Sequence, residues 1–317
     1  MSTQDRHFET RTGRYGKAAI EHAAALITAG QVVAVPSETV YGLAGRADSG
    51  EAVARIYEAK GRPSFNPLIV HVASMEQAEG FACFDERAHK LADAFWPGPL
   101  TMVLPLKDGA PIASLTTAGL ETIALRMPAH RAMRSLIETT GLPLAAPSAN
   151  ASGSISPTRA EHVLRSLGGR IPYILDDGPT ELGLESTIIA VAGQTLSLLR
   201  PGPITRERIE TVAGPISIRA DGDPINAPGQ LASHYAPSKP LRLNATGAQE
   251  DEWLIGFGKI AGHASLSSSG DTGEAAARLF DLLHEADAQP LTKIAVAPIP
   301  EKGLGVAIND RLRRAAA

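Results

Sequence analysis

Across residues 17–29 (KAAIEHAAALITA) apolar side chains recur every three or four positions, the spacing of one helix face, and Gly30 supplies a C-terminal stop. The texture then changes to a continuous apolar run, QVVAVP, which predicts a short buried strand. The two textures continue to alternate. Asp48 or Ser49 is placed to cap a helix that runs to Lys60 and ends at Gly61. PLIVHV (67–72) predicts a strand, and Ser74 with Gln77 has capping-box spacing for a short helix. A helix over 85–95 is stopped by WPGP. LTMVLPL and TIALRMP predict strands, with a helix near 129–139, and PLAAPSAN a short strand breaking into a loop. Thr158 and Glu161 repeat the capping-box pattern and open a helix to about Leu167. PYILDD, STIIAVAG and TLSLLRPG predict further strands.

This order mixes βα units with strands that follow one another directly. It predicts an α/β domain over residues 1–218 built on a twisted, mixed parallel/antiparallel sheet with helices. Residues 219–239 (RADGDPINAPGQLASHYAPSK) are rich in Pro, Gly and Ala with little periodicity and read as a linker. LRLNA, EWLIGFG, a helix near 273–287, KIAVAPI and a last helix near 303–314 predict a small second α/β domain over 240–317. Within it GFGKIAG (256–262) imitates a dinucleotide fingerprint but misplaces the last glycine, and reads as a βα turn.

Composition narrows the class. The 317 residues suit two domains. Thirty basic against 34 acidic residues, net −4, give no global excess for a nucleic-acid backbone binder, although a few arginines can converge locally. The single cysteine, Cys83, makes neither an internal disulfide nor a Cys-rich zinc site. Flanked by Phe81, Ala82 and Phe84, it reads as a buried, inert thiol of a reducing compartment. The N-terminal stretch is polar, and no apolar run approaches the ~20 residues of a membrane span, so the expectation is a cytoplasmic protein without membrane association. The P-loop, H-E-x-x-H and G-x-S-x-G patterns are absent.

Polar residues collect where strands end: Ser37-Glu38-Thr39 with Tyr41; Lys60, Arg62, Asn66 and His71; Thr122 and Arg126; Ser148, Asn150, Ser152 and Ser156; Glu185-Ser186-Thr187; and Arg200. Strand ends are where open α/β sheets bind ligands. Lys60, Arg62, Arg126 and Arg200 offer positive charge and forked donors for phosphate. Ser148, Asn150 and Ser156 offer short neutral donors. Each has a plainer reading by itself: Thr39 a turn hydroxyl, His71 a core histidine, Lys60-Gly61-Arg62 the basic end of a helix, Ser148-Ala149-Asn150 an Asx turn, the arginines surface ion pairs, Glu38 and Tyr41 capping and packing. Their coincidence carries the site.

In this order PSETVYGL, KGRPSFNPLIVHV, WPGPLTMVL, PSANASGSISPT, ESTII and LRPG resemble the motifs of the threonylcarbamoyl-adenylate synthases, in their long two-domain form. The resemblance covers residues ~15–218 and continues into the tail. Ser37 stands where the family motif carries threonine, and the hydroxyl is kept. The resemblance implies a YrdC-like catalytic domain with a positively charged concave face, and a small Rossmann-like C-terminal domain. It implies a reaction in which L-threonine, bicarbonate and ATP give threonylcarbamoyl-AMP and pyrophosphate, the first step of threonylcarbamoyladenosine modification of tRNA. It implies that Thr39, His71, Arg126, Ala146 and Ser186 hold threonine. Lys60 and Arg62 become the catalytic cations, and they join Asn66, Thr122, Ser148, Ser156, Arg200 and Tyr235 around ATP, with Mg²⁺ accompanying it. The linker becomes a lid, and a separate threonylcarbamoyl-transferase complex takes over the product; direct tRNA contact is left open. Two other classes compete. A carbamoyl-transfer enzyme would need zinc-finger and acylphosphatase-like segments that this chain lacks, and an RNA-binding module sits poorly with the net charge of −4.

Overall fold

The computed structural model describes residues 8–63, 66–193, 195–218 and 234–317. The first domain opens with β1 (Arg11–Arg14), α1 (Lys17–Thr28), β2 (Val33–Pro36) and β3 (Tyr41–Arg46). It continues with α2 (Gly50–Lys60), β4 (Ile69–His71), α3 (Met75–Phe81), α4 (Glu86–Phe95), β5 (Leu100–Pro105), α5 (Ser114–Thr117), β6 (Thr122–Arg126) and α6 (Arg131–Thr140). Then come β7 (Leu144–Ala145), α7 (Ala160–Leu167), β8 (Tyr173–Asp176), β9 (Thr187–Ala192), β10 (Thr195–Arg200), α8 (Arg206–Ala213) and β11 (Ser217–Ile218). The strands form one mixed sheet in the order β1-β8-β2-β3-β7-β4-β6-β5-β9-β10-β11. A second sheet, all parallel, has the order β12-β15-β13-β14, from β12 (Leu241–Arg242), β13 (Glu252–Gly256), β14 (Ala264–Ser265) and β15 (Lys293–Val296). Helices α9 (Thr272–Ala288) and α10 (Leu304–Ala315) pack with it.

The two faces of the large sheet are treated differently. One is covered throughout by a core that includes Leu43, Val70, Met102, Leu125 and Ile189 with side chains from α2 and α4. The other is covered over β2, β3 and β8 by α1 and α6, through Ile27, Val33, Leu136 and Tyr173. Over β4, β6, β5 and β9 the second face carries only a small apolar patch, Ile69, Val103, Ala124 and Ile188. That thinly covered quarter holds the site.

Local rules place the elements that frame it. Ser49 caps α2 by accepting from the Ala52 amide at 3.3 Å, and Gly61 ends it in the left-handed conformation at φ 61°. The chain therefore turns sharply after Lys60. Where the domains meet, Gly183 has φ 67°, and a Cβ there would lie 2.5 Å from the Ala276 and Ala277 carbonyl oxygens of α9, so only glycine admits the helix.

Several expectations need correcting. YGLAG is strand β3, paired antiparallel with β2, so Ser37-Glu38-Thr39 is the turn of a hairpin. Thr158 does not cap α7: Arg159 is the capping position, without a side-chain cap, and Thr158 instead lies 3.4 Å from the His162 ring. GFGKIAG is not a βα turn. It joins β13 to β14 through a tight reversal, with Gly256 and Gly262 so close to backbone that a Cβ would meet oxygens at 2.3 and 2.4 Å. Cys83 is exposed, although Phe81 and Ala82 beside it are buried. Of the expected linker, residues 219–233 lie outside the described residues. Among the described residues no helix is long and apolar enough to cross a membrane.

Candidate active site

Sheet register assembles the site. Residues directly opposite one another on neighbouring strands project to the same face, and those two apart on one strand return to it. His71 of β4 pairs with Arg126 of β6, and Thr101 of β5 pairs with Ile188 of β9, which pairs with Arg200 of β10. The β5–β6 register, Met102 opposite Leu125, sets Thr101 opposite Arg126. One cross-strand row therefore carries His71, Arg126, Thr101, Ile188 and Arg200. Ile69, Ala124 and Val103 of the apolar patch form the next row, and Thr122 follows on the same face of β6, four residues or about 13 Å from Arg126. A cavity of about 50 Å³ lies over the first rows, lined among others by Thr39, Arg62, Ile69, His71, Arg126, Ala146, Ser148, Glu185, Ser186, Arg200 and Tyr235.

At one end the Arg126 guanidinium is held on three sides. Its Nε donates to the Gly98 carbonyl at 3.2 Å and its Nη1 to Thr39 Oγ1 at 2.9 Å, while Nη2 lies 2.6 Å from Glu38 Oε1. The hairpin turn makes this possible: Ser37 Oγ donates to the Val40 carbonyl at 2.8 Å and lies 2.7 Å from Thr39 Oγ1, fixing the threonine hydroxyl. Burial works to raise the Glu38 pKa, but the Arg126 charge and hydrogen bond outweigh it and hold Glu38 below the usual carboxylate range. Beside them burial, reinforced by the Arg126 charge, lowers His71 to about 3, so the ring is neutral at physiological pH. Its Nδ1 is buried without a partner among the described residues. A neutral imidazole, a hydroxyl and the two remaining guanidinium N–H groups suit a small zwitterion with its own hydroxyl.

At the other end cations gather. Arg62 Nε and Nη2 donate to the Asn66 and Pro67 carbonyls at 3.4 and 3.2 Å. Arg200 grips the Ser186 carbonyl with Nε at 3.0 Å and Nη2 at 2.9 Å, and Nη2 also donates to Ser186 Oγ at 3.1 Å. Burial, with Arg200 nearby adding to it, lowers Arg62 to about 10, still charged at neutral pH. Two like charges sharing a buried wall repel, and an anion between them removes that cost. Lys60 does not line the cavity. Its Nζ donates to the Ser148 and Asn150 carbonyls at 2.6 and 2.5 Å and so pins the serine loop from behind. Burial and then the Arg62 charge push Lys60 well below the ordinary lysine range, while the two carbonyls oppose this as ligands of an ammonium. Asn66 and Ser156 also lie behind the lining. Ser156 Oγ donates to Glu185 Oε1 at 2.5 Å.

The end of the linker, packed against the second domain, completes the wall. Tyr235 is fully buried at φ 66°, between Phe280 of α9, with ring centroids 5.5 Å apart, and Arg311 of α10, 5.4 Å from its ring. Ala236 N donates to the Gly153 carbonyl at 2.8 Å, and His234 N to that of Arg314 at 3.1 Å. Arg311 Nε donates to Glu185 Oε2 at 2.8 Å. Sequence reasoning missed His234 and Arg311 as parts of the site, and it gathered Glu38 and Glu185 at the strand ends without giving either an arginine partner. The adjacency of Glu38 and Glu185 to a hydroxyl residue in each motif was the available signal; for Arg311 there was none.

Among the described residues no group of three His, Cys, Asp or Glu side chains is placed to hold a metal ion. The carboxylates at the pocket are engaged by Arg126 and Arg311. These residues do not fit a protein-held magnesium.

A family model described as "Telomere recombination" matches residues 25–202, and one described as "Threonylcarbamoyl-AMP synthase, C-terminal domain" matches residues 204–317. The threonylcarbamoyl-AMP synthase of Bacillus subtilis is 43% identical over 94% of this chain and 92% of its own length. That of Pyrococcus abyssi is 43% identical over 93% of each. The crystal structure of P. abyssi Sua5 complexed with L-threonine matches with a TM-score of 0.88 at 40% identity, over 97% of both chains. The chain belongs to the threonylcarbamoyl-AMP synthase family.

Proposed function

We propose that this chain joins L-threonine, bicarbonate and ATP into threonylcarbamoyl-AMP and pyrophosphate, as a nucleotidyltransferase that moves an adenylyl group to N-carboxy-threonine. The observation that carries the reading is the single row of His71, Arg126 and Arg200, with Thr39 and Arg62 converging on it in one pocket. The Arg126 end matches a small hydroxylated amino acid, and the Arg62–Arg200 end matches phosphates.

The chemistry follows from that polarity. The threonine amine adds to carbon dioxide derived from bicarbonate and becomes a carbamate. A carbamate oxygen attacks the α-phosphorus, the bond to the β-phosphate oxygen breaks, and pyrophosphate leaves with that electron pair. Both reactants are anions, so buried guanidinium groups lower the cost of bringing them together and of the charge growing on the leaving group. Holding them in line supplies on the order of 7–11 kcal/mol. Carbamate and mixed anhydride both hydrolyse in water, which gives the buried Tyr235 cover a purpose. A cavity of about 50 Å³ is far below the ~300–1,000 Å³ of a pocket that takes a small molecule, so Tyr235 and its neighbours move aside when the nucleotide enters. Magnesium belongs here as the counter-ion that ATP brings with it. The product passes to a separate threonylcarbamoyl-transferase complex that modifies tRNA, in the cytoplasm.

The test is pyrophosphate release by the full-length chain with ATP, threonine and bicarbonate each left out in turn. Release that requires all three is expected. Release that continues without threonine would overturn the reading.

A further inference from the structure

We propose that Arg311, on the last helix of the C-terminal domain, is a positioning residue for the nucleotide half of the pocket: it neutralises Glu185 and so leaves the charge of Arg200 free for phosphate. The proposal rests on the reading of that half as an ATP site. Arg311 is entirely buried yet does not line the cavity. Its Nε is 2.8 Å from Glu185 Oε2, and its Nη1 donates to Asp310 Oδ2 at 2.7 Å. The other Glu185 oxygen receives Ser156 Oγ at 2.5 Å, so both oxygens are occupied.

The physical need is plain. Glu185 lines a cavity that otherwise presents Arg62 and Arg200. A buried carboxylate there repels phosphate and takes the nearest cation as its partner. After Arg311 that cation is Arg200, whose charge already acts on Glu185 and whose guanidinium is bonded to the next residue, Ser186. Without Arg311, Glu185 either captures Arg200 or takes up a proton, and each outcome changes the nucleotide wall. The neighbouring arginines of α10 are spent elsewhere: Arg313 pairs with Glu301 on the surface, and Arg314 with Asp310. The second domain thus contributes one charge, delivered from 126 residues away, to a site it does not line with that side chain.

Steady-state pyrophosphate release by the full-length chain decides the matter, with KM for ATP and for threonine measured in wild type, Arg311→Met and Arg311→Met/Glu185→Gln. Arg311→Met is expected to raise the ATP KM by ~10-fold or more and the threonine KM by less than ~3-fold. The double variant is expected to return the ATP KM to within ~3-fold of wild type, because a neutral amide needs no counter-charge. A purely structural role for Arg311 would not be mended by the second substitution. An unchanged ATP KM, a parallel rise of both KM values, or a double variant no better than the single overturns the proposal. If Arg311→Met does not fold, the double variant decides alone: an ATP KM near wild type supports the proposal, while a ~10-fold rise or failure to fold overturns it. A wild-type chain without threonine-dependent release would instead refute the reaction. ATP binding by calorimetry in the same variants would then judge the charge argument separately.

Discussion

Two buried glutamate–arginine pairs flank the pocket, and they differ in how the arginine is employed. Each glutamate precedes a hydroxyl residue that faces the cavity: Glu38 precedes Thr39, and Glu185 precedes Ser186. Arg126 is at once the counter-charge of Glu38 and a donor to Thr39. At the other end the labour is divided. Arg311 holds Glu185 from behind, and Arg200 contacts Ser186 in front. Each pair also has a buried neutral histidine beside it, His71 near the first and His234 near the second. The difference teaches that the Arg126 end, proposed for threonine, is built within one domain and is hard to separate into structure and chemistry, whereas the Arg200 end, proposed for the nucleotide, draws its charge balance from a second domain and can be taken apart.

The largest effect expected is at the inseparable pair. Arg126→Met strips Glu38 of its buried partner, and urea denaturation should show a loss of about 3–5 kcal/mol together with loss of threonine-dependent turnover. A variant that kept both would erase the contrast. Arg62→Ala removes one guanidinium from the cavity wall, the group proposed to meet phosphate. It should cost roughly 1.5–3 kcal/mol, read as a ~10–150-fold fall in kcat/KM for ATP. Lys60→Ala should differ from it in kind. It frees two backbone carbonyls, so melting should shift along with turnover.

The histidines sharpen the comparison through pH. His71 and His234 are both lowered by burial to about 3 in the folded chain, against about 6.5 when unfolded. The unfolded chain therefore binds more protons between those values, and their contribution to stability, full above pH 6.5, is lost as pH falls toward 3. Each adds a slope of about 1.4 kcal/mol per pH unit within that window. Replacing either with glutamine should flatten stability against pH by about that much, at both pairs alike. The smallest effect is expected at the Thr39 hydroxyl. Thr39→Val should raise the threonine KM about 2–12-fold, the equivalent of one neutral hydrogen bond, and leave ATP binding measured by calorimetry nearly unchanged.

Much of the fold could be read along the chain. Apolar spacing and capping chemistry located α1, α2, α4, α9 and α10 and most of the strands, because those signals act within a turn or a strand. The strand β1, RTGR, escaped notice because it is a mostly exposed edge with no apolar run. The strand β3 was hidden by its glycines, and α5 is too short to show a period. Motif order brought Thr39, Arg62, His71, Arg126, Ser148 and Arg200 forward together, and the structure sets them around one cavity.

What residue order alone determined was local: where the backbone coils, where it extends, and which polar types wait at strand ends. Tertiary structure alone decided the partners. Nothing near Glu38 names Arg126, and nothing in LGVAINDRLRRA separates the buried Arg311 from the arginines that stay nearer solvent. Helix periodicity and caps are set by neighbours a few bonds away. Whether a charge is neutralised depends on strand register and domain docking, which bring together groups 88 and 126 residues apart.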